Sequence, residues 1–527
     1  MKKSEFRWIL IYAAILALLT SLPYLIGYEV QGEEWRFTGF VIGVEDGNSY
    51  IAKMLSGSDG EWLFRTPYSS MEQRGVLAFL PYILLGKLAS GLGMHEQLVA
   101  LFHLFRILVT PLGIFAVYQF ISLFIKKVYW RKIATILSTV GGGLGWLLAI
   151  SGNGEWLGSL PMDWISPEWF GFLAFLAIPH LILARAFLLL GLTLYLTSPL
   201  NRVRAWLAGG CFFMLGLVHP LGMVTAIAVI GVHQCAIWIS TLLRHSKLIH
   251  KKWVRIGYKA ILPPLPLVFY YFIKFSTDPY LVIWTKQNRI FSPHPLHMLV
   301  AYGLVFIPAI LGVKKILNFR PWTGLAIVGW LLAFPIFAYA PHNLQRRLPD
   351  GIWVVWTILA MLGLSVITKR WLRQSRVLSL GFLGLSLPTT FILLVSAIQV
   401  SLNNSLPIFR PVEEVKVFQW LKDEAESDSV VLSSFSTGNA LPAWAPVSVV
   451  IGHGPESADA GSLKPMVSDF YSGKMSEKEI KEFLQSQHVS FVFWGPNEYV
   501  QDGIDLENSP LFGLRFWAGD YKLYEVQ

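Results

Sequence analysis

Apolar runs of about 20 residues recur along the whole of this chain, and a run of that length, coiled as a helix, matches the hydrocarbon thickness of a bilayer. They lie near 7–27, 98–125, 133–150, 170–198, 205–220, 221–243, 257–275, 295–313, 321–339, 351–368 and 377–400. Backbone in lipid must satisfy its own hydrogen bonds, so each run is expected to be a helix. Of 527 residues, 54% are hydrophobic and 14% charged, which excludes an ordinary set of water-soluble domains. The opening MKKSEFRWILIYAAILALLTSLPYLIGY begins like a signal peptide. Its apolar run is too long and has no small-residue cleavage site, so it reads as a retained first helix.

The net charge of +10 conceals two opposed regions. Residues 401–527 carry 18 acidic and 9 basic side chains, whereas 1–400 carry 15 acidic and 34 basic ones. A basic membrane domain, 1–400, is therefore expected to precede an acidic soluble domain, 401–527. The linkers 126–132, 201–204, 244–259, 314–320 and 369–376 hold 19 Lys/Arg and no acid. Positive charge is retained on the cytoplasmic side, so these linkers and the N-terminus are expected there. This accounts for the basic excess without nucleic acid. The first loop, 28–74, has 8 acids against 4 bases and falls on the outer side, as does the C-terminal domain. One stretch, RGVLAFLPYILLGKLASGLGM at 74–94, is apolar enough to span. A single crossing there would turn every basic linker outward. It is therefore expected to lie along the outer interface or to dip in and return.

The tail reads as a small α/β domain. SVVLSS, SVVIGH and VSFVFWG are strand-like, SEKEIKEFLQSQ is an amphipathic helix, and the strand–helix–strand order implies a partly parallel sheet. Neither GHGP nor GGGLGW (141–146) has the context of a nucleotide-binding loop. Cys211 and Cys235 sit in apolar runs and define no disulfide framework.

Chemistry is expected where ionisable groups meet the outer boundary. Glu45 and Asp46 open a segment in which Tyr50 follows Asp46 by four residues and Ile51, Met54 and Leu55 form an apolar stripe. An interfacial helix here would hold a carboxylate at headgroup depth, able to act as a general base. The same acids also suit a plain helix N-terminus. The loop PHNLQRRLPDG places Arg346 and Arg347 beside His342. The pair suits bidentate binding of a lipid-linked phosphate, or nonspecific contact with anionic headgroups. Arg106, near His103 in an apolar helix, is a functional candidate or the partner of an acid such as Glu45. His180, with Arg185, lies in a long apolar run, while His219, His294 and His297 flank prolines or turns. No histidine pair has metal-ligand spacing with a carboxylate. Trp156, Trp164 and Trp169 belong to an interfacial belt or line a sugar site. Asn439, His453 and Glu456 read as turn residues at strand ends.

An early outer loop with an acid followed four residues later by Tyr, then an apolar dip, then an Arg-bearing helix, resembles the GT-C membrane glycosyltransferases. The nearest classes are the protein O-mannosyltransferases and the aminoarabinose transferase of lipid A. Their pattern D-E-x-x-Y-A falls on Asp46, Gly47, Asn48, Ser49, Tyr50 and Ile51. The companion Glu is replaced by Gly47, and Glu45 lies on the other side, which leaves open which carboxylate is the base. The family's arginine after the dip corresponds to Arg106. The tail pieces TGNALPAW, GHGPES and FYSG also resemble a group of bacterial multi-pass membrane proteins.

The resemblance implies a core of about seven helices in the GT-C arrangement, within the eleven membrane helices plus interfacial helices read from the apolar runs. It also implies a polyprenyl-phosphate sugar donor and inverting transfer to a glycan, lipid or protein hydroxyl outside the cytoplasmic membrane. Asp46 or Glu45 would be the base. Arg346, Arg347 or Arg106 would bind the lipid phosphate, and Tyr50, His103, His180 and His342 would contact substrate. No cofactor is expected, although some members of the family use a divalent metal. Two other classes compete: a flippase for lipid-linked sugars, and a non-catalytic scaffold with an external binding domain.

Overall fold

The computed structural model describes residues 1–243, 247–367, 372–501 and 503–527. Residues 244–246 and 369–371 of the basic linkers lie outside the described residues. The chain packs as two compact units. The first comprises Met1–Ser21, Phe105–Phe272 and Ile290–Ser396, and the second Leu22–Leu104, Ile273–Arg289 and Ala397–Gln527.

Among the described residues, seven helices are long and apolar enough to cross a membrane, including α1 (Lys3–Val30), and up to eight if a bent pair is one span. That pair, Lys251–Ile261 and Leu265–Thr277, bends by 53°. Pro263 and Pro264 supply the break, since neither can donate a backbone hydrogen bond. Two more apolar helices, Val203–Val218 and Ile352–Ile367, are shorter. The single helix expected over 133–150 is instead two, Val128–Val140 and Gly145–Ile150. Between them residues 141–144 leave helical geometry, and two of their amides donate sideways. Gly142 N–H bonds the Ser386 carbonyl and Leu144 N–H that of Val300. The expected 170–198 helix likewise breaks before Pro179.

In the first unit, Ile352–Ile367 is buried at every position from Ile352 to Leu364. A helix apolar all round belongs at the centre of a core. Helix His297–Phe319 lies against it backbone to backbone. A Cβ on Gly312 would stand 1.9 Å from the Leu359 carbonyl oxygen, and one on Gly363 would stand 1.8 Å from that of Pro308. Small residues permit this approach, which apolar lipid cannot drive by itself.

The second unit contains strand β1 (Trp35–Phe37), helix α2 (Val44–Ser58), helix α3 (Leu80–Gly86) and the head of α4 (Met94–Ser122). At about 1.5 Å per residue, α3 spans only ~10 Å, a third of the hydrocarbon core. It lies on α2 through Gly57 and Gly86, where a Cβ would meet the carbonyls of Ile83 and Met54. Strand β1 pairs antiparallel with β2 (Phe409–Pro411), tying the first loop to the tail.

The tail contributes β3 (Val430–Leu432), β4 (Ser448–Val449), β5 (Val489–Trp494), β6 (Phe512–Ala518) and β7 (Tyr521–Val526). These form a sheet of order β4-β3-β5-β7-β6, parallel among the first three and antiparallel thereafter. Helix Glu477–Ser486 opens with the capping box of Ser476 and Glu479. The tail is thus the partly parallel α/β domain expected, extended by a β6–β7 hairpin with no counterpart in the sequence reading. The carboxyl ends of β3 and β4 lead into the segments that carry Asn439 and His453. In open α/β sheets this edge is where ligands bind.

Candidate active site

Helix α2 starts at Gly43, in the left-handed region at φ 61°, so the cap has no side chain to offer the first amides. Its apolar stripe is buried as expected: Ile51, Met54 and Leu55 are at most 3% exposed. Beyond the exposed Glu45 and Asp46, the polar residues Asn48, Ser49 and Lys53 are buried too, because polar groups of the tail meet them. Asn48 Nδ2 donates to Asn439 Oδ1 at 2.8 Å. Ser49 donates to Glu456 Oε1 at 2.8 Å. The Lys53 ammonium lies 2.6 Å from the same oxygen and also donates to Ser49 Oγ. Thr66 supplies a third donor, to Glu456 Oε2 at 2.6 Å.

Lys53 is 1% exposed and Glu456 6%. A charge so buried is tolerated only when paired and hydrogen-bonded. The rings of Phe79 and Phe64, at 4.4 and 5.1 Å from Nζ, face the remaining side of the ammonium. Burial pushes the Glu456 carboxyl up. Lys53, His453 and the hydrogen bonds from Lys53 and Thr66 outweigh it and hold the carboxyl below the ordinary value.

The loop after β4 is held at several points. Gly452 and His453 N–H bond Ser457 Oγ, Gln287 donates to the Pro455 and Ser457 carbonyls, and the Tyr280 hydroxyl donates to the Glu456 carbonyl. The two acids singled out in the sequence meet this loop differently. Glu45 Oε1 accepts the Gly454 N–H at 2.7 Å. Asp46 Oδ1 lies 3.3 Å from His453 Nε2, with its side chain 57% exposed. The side chain of Asp46 is therefore accessible.

The other sequence candidates divide between the units. In the second, Tyr50 stacks on Tyr82 at 4.6 Å, and His103 Nε2 meets the Gly39 carbonyl at 2.9 Å. In the first, Arg106 is buried and donates to Thr20 and Ser21 at 2.8 and 2.9 Å, tying helix to helix. Arg347 reaches Glu168 at 3.5 Å. Arg346 makes no side-chain hydrogen bond or ion pair among the described residues, and its Nε is buried without a partner. Its own carbonyl accepts from Trp169 Nε1 at 2.7 Å, which fixes the backbone. His342 Nδ1 accepts from Leu344 N–H, closing its own turn. His180 is buried 6.3 Å, centroid to centroid, from His219. The arginine loop is anchored by a buried pair that sequence reasoning missed, Arg185 with Asp350 at 2.6 Å. Among the described residues no three His, Cys, Asp or Glu side chains are grouped to hold a metal ion.

No family model matches the chain, and no curated protein matches it. Solved structures do. The Archaeoglobus fulgidus oligosaccharyltransferase tethered to an acceptor peptide superposes with a TM-score of 0.54 at 14% identity, over 92% of this chain and 69% of that one. ArnT from Cupriavidus metallidurans, bound to undecaprenyl phosphate, gives 0.52 at 11% identity, over 98% and 97%. The mycobacterial arabinofuranosyltransferase AftD gives 0.53 at 12% identity, over 98% of this chain but 41% of its own. The fold of this chain is that of the GT-C membrane glycosyltransferases.

Proposed function

We propose that the protein is an inverting glycosyltransferase that takes a sugar from polyprenyl phosphate at the outer face of the cytoplasmic membrane. A shared fold does not fix chemistry. It is nonetheless consistent with this one: ArnT is bound to undecaprenyl phosphate, and the archaeal enzyme AglB has been captured with a dolichol-phosphate. The observation that carries the proposal is the Asp46 carboxylate, accessible beside Glu45 on the first turn of a helix that is largely buried beyond that turn.

In the proposed reaction Asp46 takes the proton of an acceptor hydroxyl. The oxygen attacks the anomeric carbon as the bond from that carbon to the phosphate oxygen breaks, and the phosphate departs with the electron pair. Stabilising that charge calls for a cationic side chain, the role the sequence suggests for Arg346, Arg347 or Arg106. Glu45 is engaged by the Gly454 amide.

The test is turnover of a panel of synthetic polyprenyl-phosphate sugars by purified protein. Asp46→Asn is expected to lower the rate by roughly 10²–10⁴-fold without loss of fold. Full turnover by that variant, or no turnover of any donor by the wild type, refutes the proposal.

A further inference from the structure

We infer that His453, from the loop after β4, is the positioning residue for Asp46, an inference that rests on the general-base role proposed above. An ionised carboxylate only accepts hydrogen bonds, so the contact between Asp46 Oδ1 and His453 Nε2 requires the proton to sit on Nε2. The other ring nitrogen agrees. Nδ1 is buried with no hydrogen-bond partner among the described residues, and it faces Glu456 Oε1 at 3.9 Å, beyond hydrogen-bond range. The imidazole therefore has one productive use for its proton, and that use points at Asp46.

The ring cannot follow the carboxylate if the carboxylate swings. His453 is 3% exposed and packs against the Tyr68 ring at 5.4 Å. Its backbone is held by Ser457, and Glu456, three residues on, is locked by Lys53 and Thr66. Asp46, by contrast, stands exposed on the first turn of α2, where a short acid samples several rotamers. A hydrogen bond from a fixed donor to Oδ1 narrows that choice and so sets the direction in which the carboxylate faces. A displacement of about 1 Å at a reacting group can cost on the order of 10²-fold in rate. The tail thus contributes to the chemistry by setting the aim of a base carried by the first loop, in addition to any hold it has on the acceptor.

The discriminating set is His453→Ala, His453→Gln and Asp46→Asn, each assayed for kcat and donor KM on the same polyprenyl-phosphate sugars, with melting temperature in detergent as the fold control. Gln places an amide N–H near the position of Nε2 and cannot titrate. His453→Ala is expected to lower kcat about 10–100-fold with donor KM within about threefold of wild type. His453→Gln should restore kcat to within about fivefold of wild type. Wild-type kcat in His453→Ala beside an inactive Asp46→Asn overturns the inference and leaves the base intact. Equal loss in Ala and Gln with a lowered melting temperature also overturns it, in favour of a structural histidine. An active Asp46→Asn removes the general-base role itself.

Discussion

Lys53→Met isolates the buried ion pair among the contacts that hold the first loop to the tail. Methionine keeps most of the stem and removes only the ammonium. Glu456 is then left 6% exposed with the hydroxyls of Ser49 and Thr66 as donors. Breaking a buried ion pair from one side costs about 3–5 kcal/mol. For a unit of this size 1 kcal/mol corresponds to about 2–4 °C, so the melting temperature should fall by on the order of 10 °C.

The pH dependence should change sign with it. In the wild type the folded Glu456 lies below its unfolded value. Its contribution is present above the unfolded carboxyl value and is lost as pH falls through the lower, folded one. Without Lys53, burial dominates and raises the folded value, so the variant loses stability as pH rises above the unfolded carboxyl value and regains it on acidification. The deficit should therefore be larger at pH 8 than at pH 5. Tryptophan-monitored melting in detergent at both values reads this directly. The double variant Lys53→Met/Glu456→Gln should lie at least about 1–2 kcal/mol above the sum of the singles. A shift under about 2 °C at pH 8, or a deficit that widens on acidification, would refute the claim that this pair stabilises the unit.

A second buried acid gives a complementary result. Burial, opposed by hydrogen bonds from Ser434 and Thr437 and reinforced by Glu414, pushes the Glu498 carboxyl up to about 7. Between the unfolded carboxylate value and pH 7 the folded state binds the extra proton, so wild-type stability should decline with rising pH. Glu498→Gln should flatten that decline and gain about 1–3 kcal/mol at pH 8, read as melting temperature against pH. Sidedness is checked by cysteine labelling in a background lacking Cys211 and Cys235. A membrane-impermeant thiol reagent should label Glu72→Cys on intact cells and leave Lys126→Cys unlabelled until the membrane is opened. The reverse pattern would turn the proposed site toward the cytosol.

Asp46 stood out as a candidate before the fold was known, because an acid–x₃–Tyr spacing beyond the first apolar run is a local pattern. Lys53 was not. In sequence it is one base in an acid-rich loop, and nothing within ten residues of it predicts burial. His453 and Glu456 looked like turn residues because GHGPES has turn composition, and they do sit in a turn. What they meet there is 400 residues away in the chain. A buried lysine demands a buried acid, but that demand does not identify which of the chain's 33 acids answers it.

The sequence by itself determined the apolar helices, the charge bias of the linkers and the strand–helix–strand tail. Each is a sum over neighbouring residues, set by how single side chains partition between water and lipid or alternate along a strand. The tertiary structure alone decided that 141–144 breaks a helix, that Ser49 and Lys53 of α2 are buried along with its apolar stripe, and that Lys53 closes on Glu456 across 403 positions. Those outcomes depend on pairs, and the energy of a pair exists only once folding has brought its two members together.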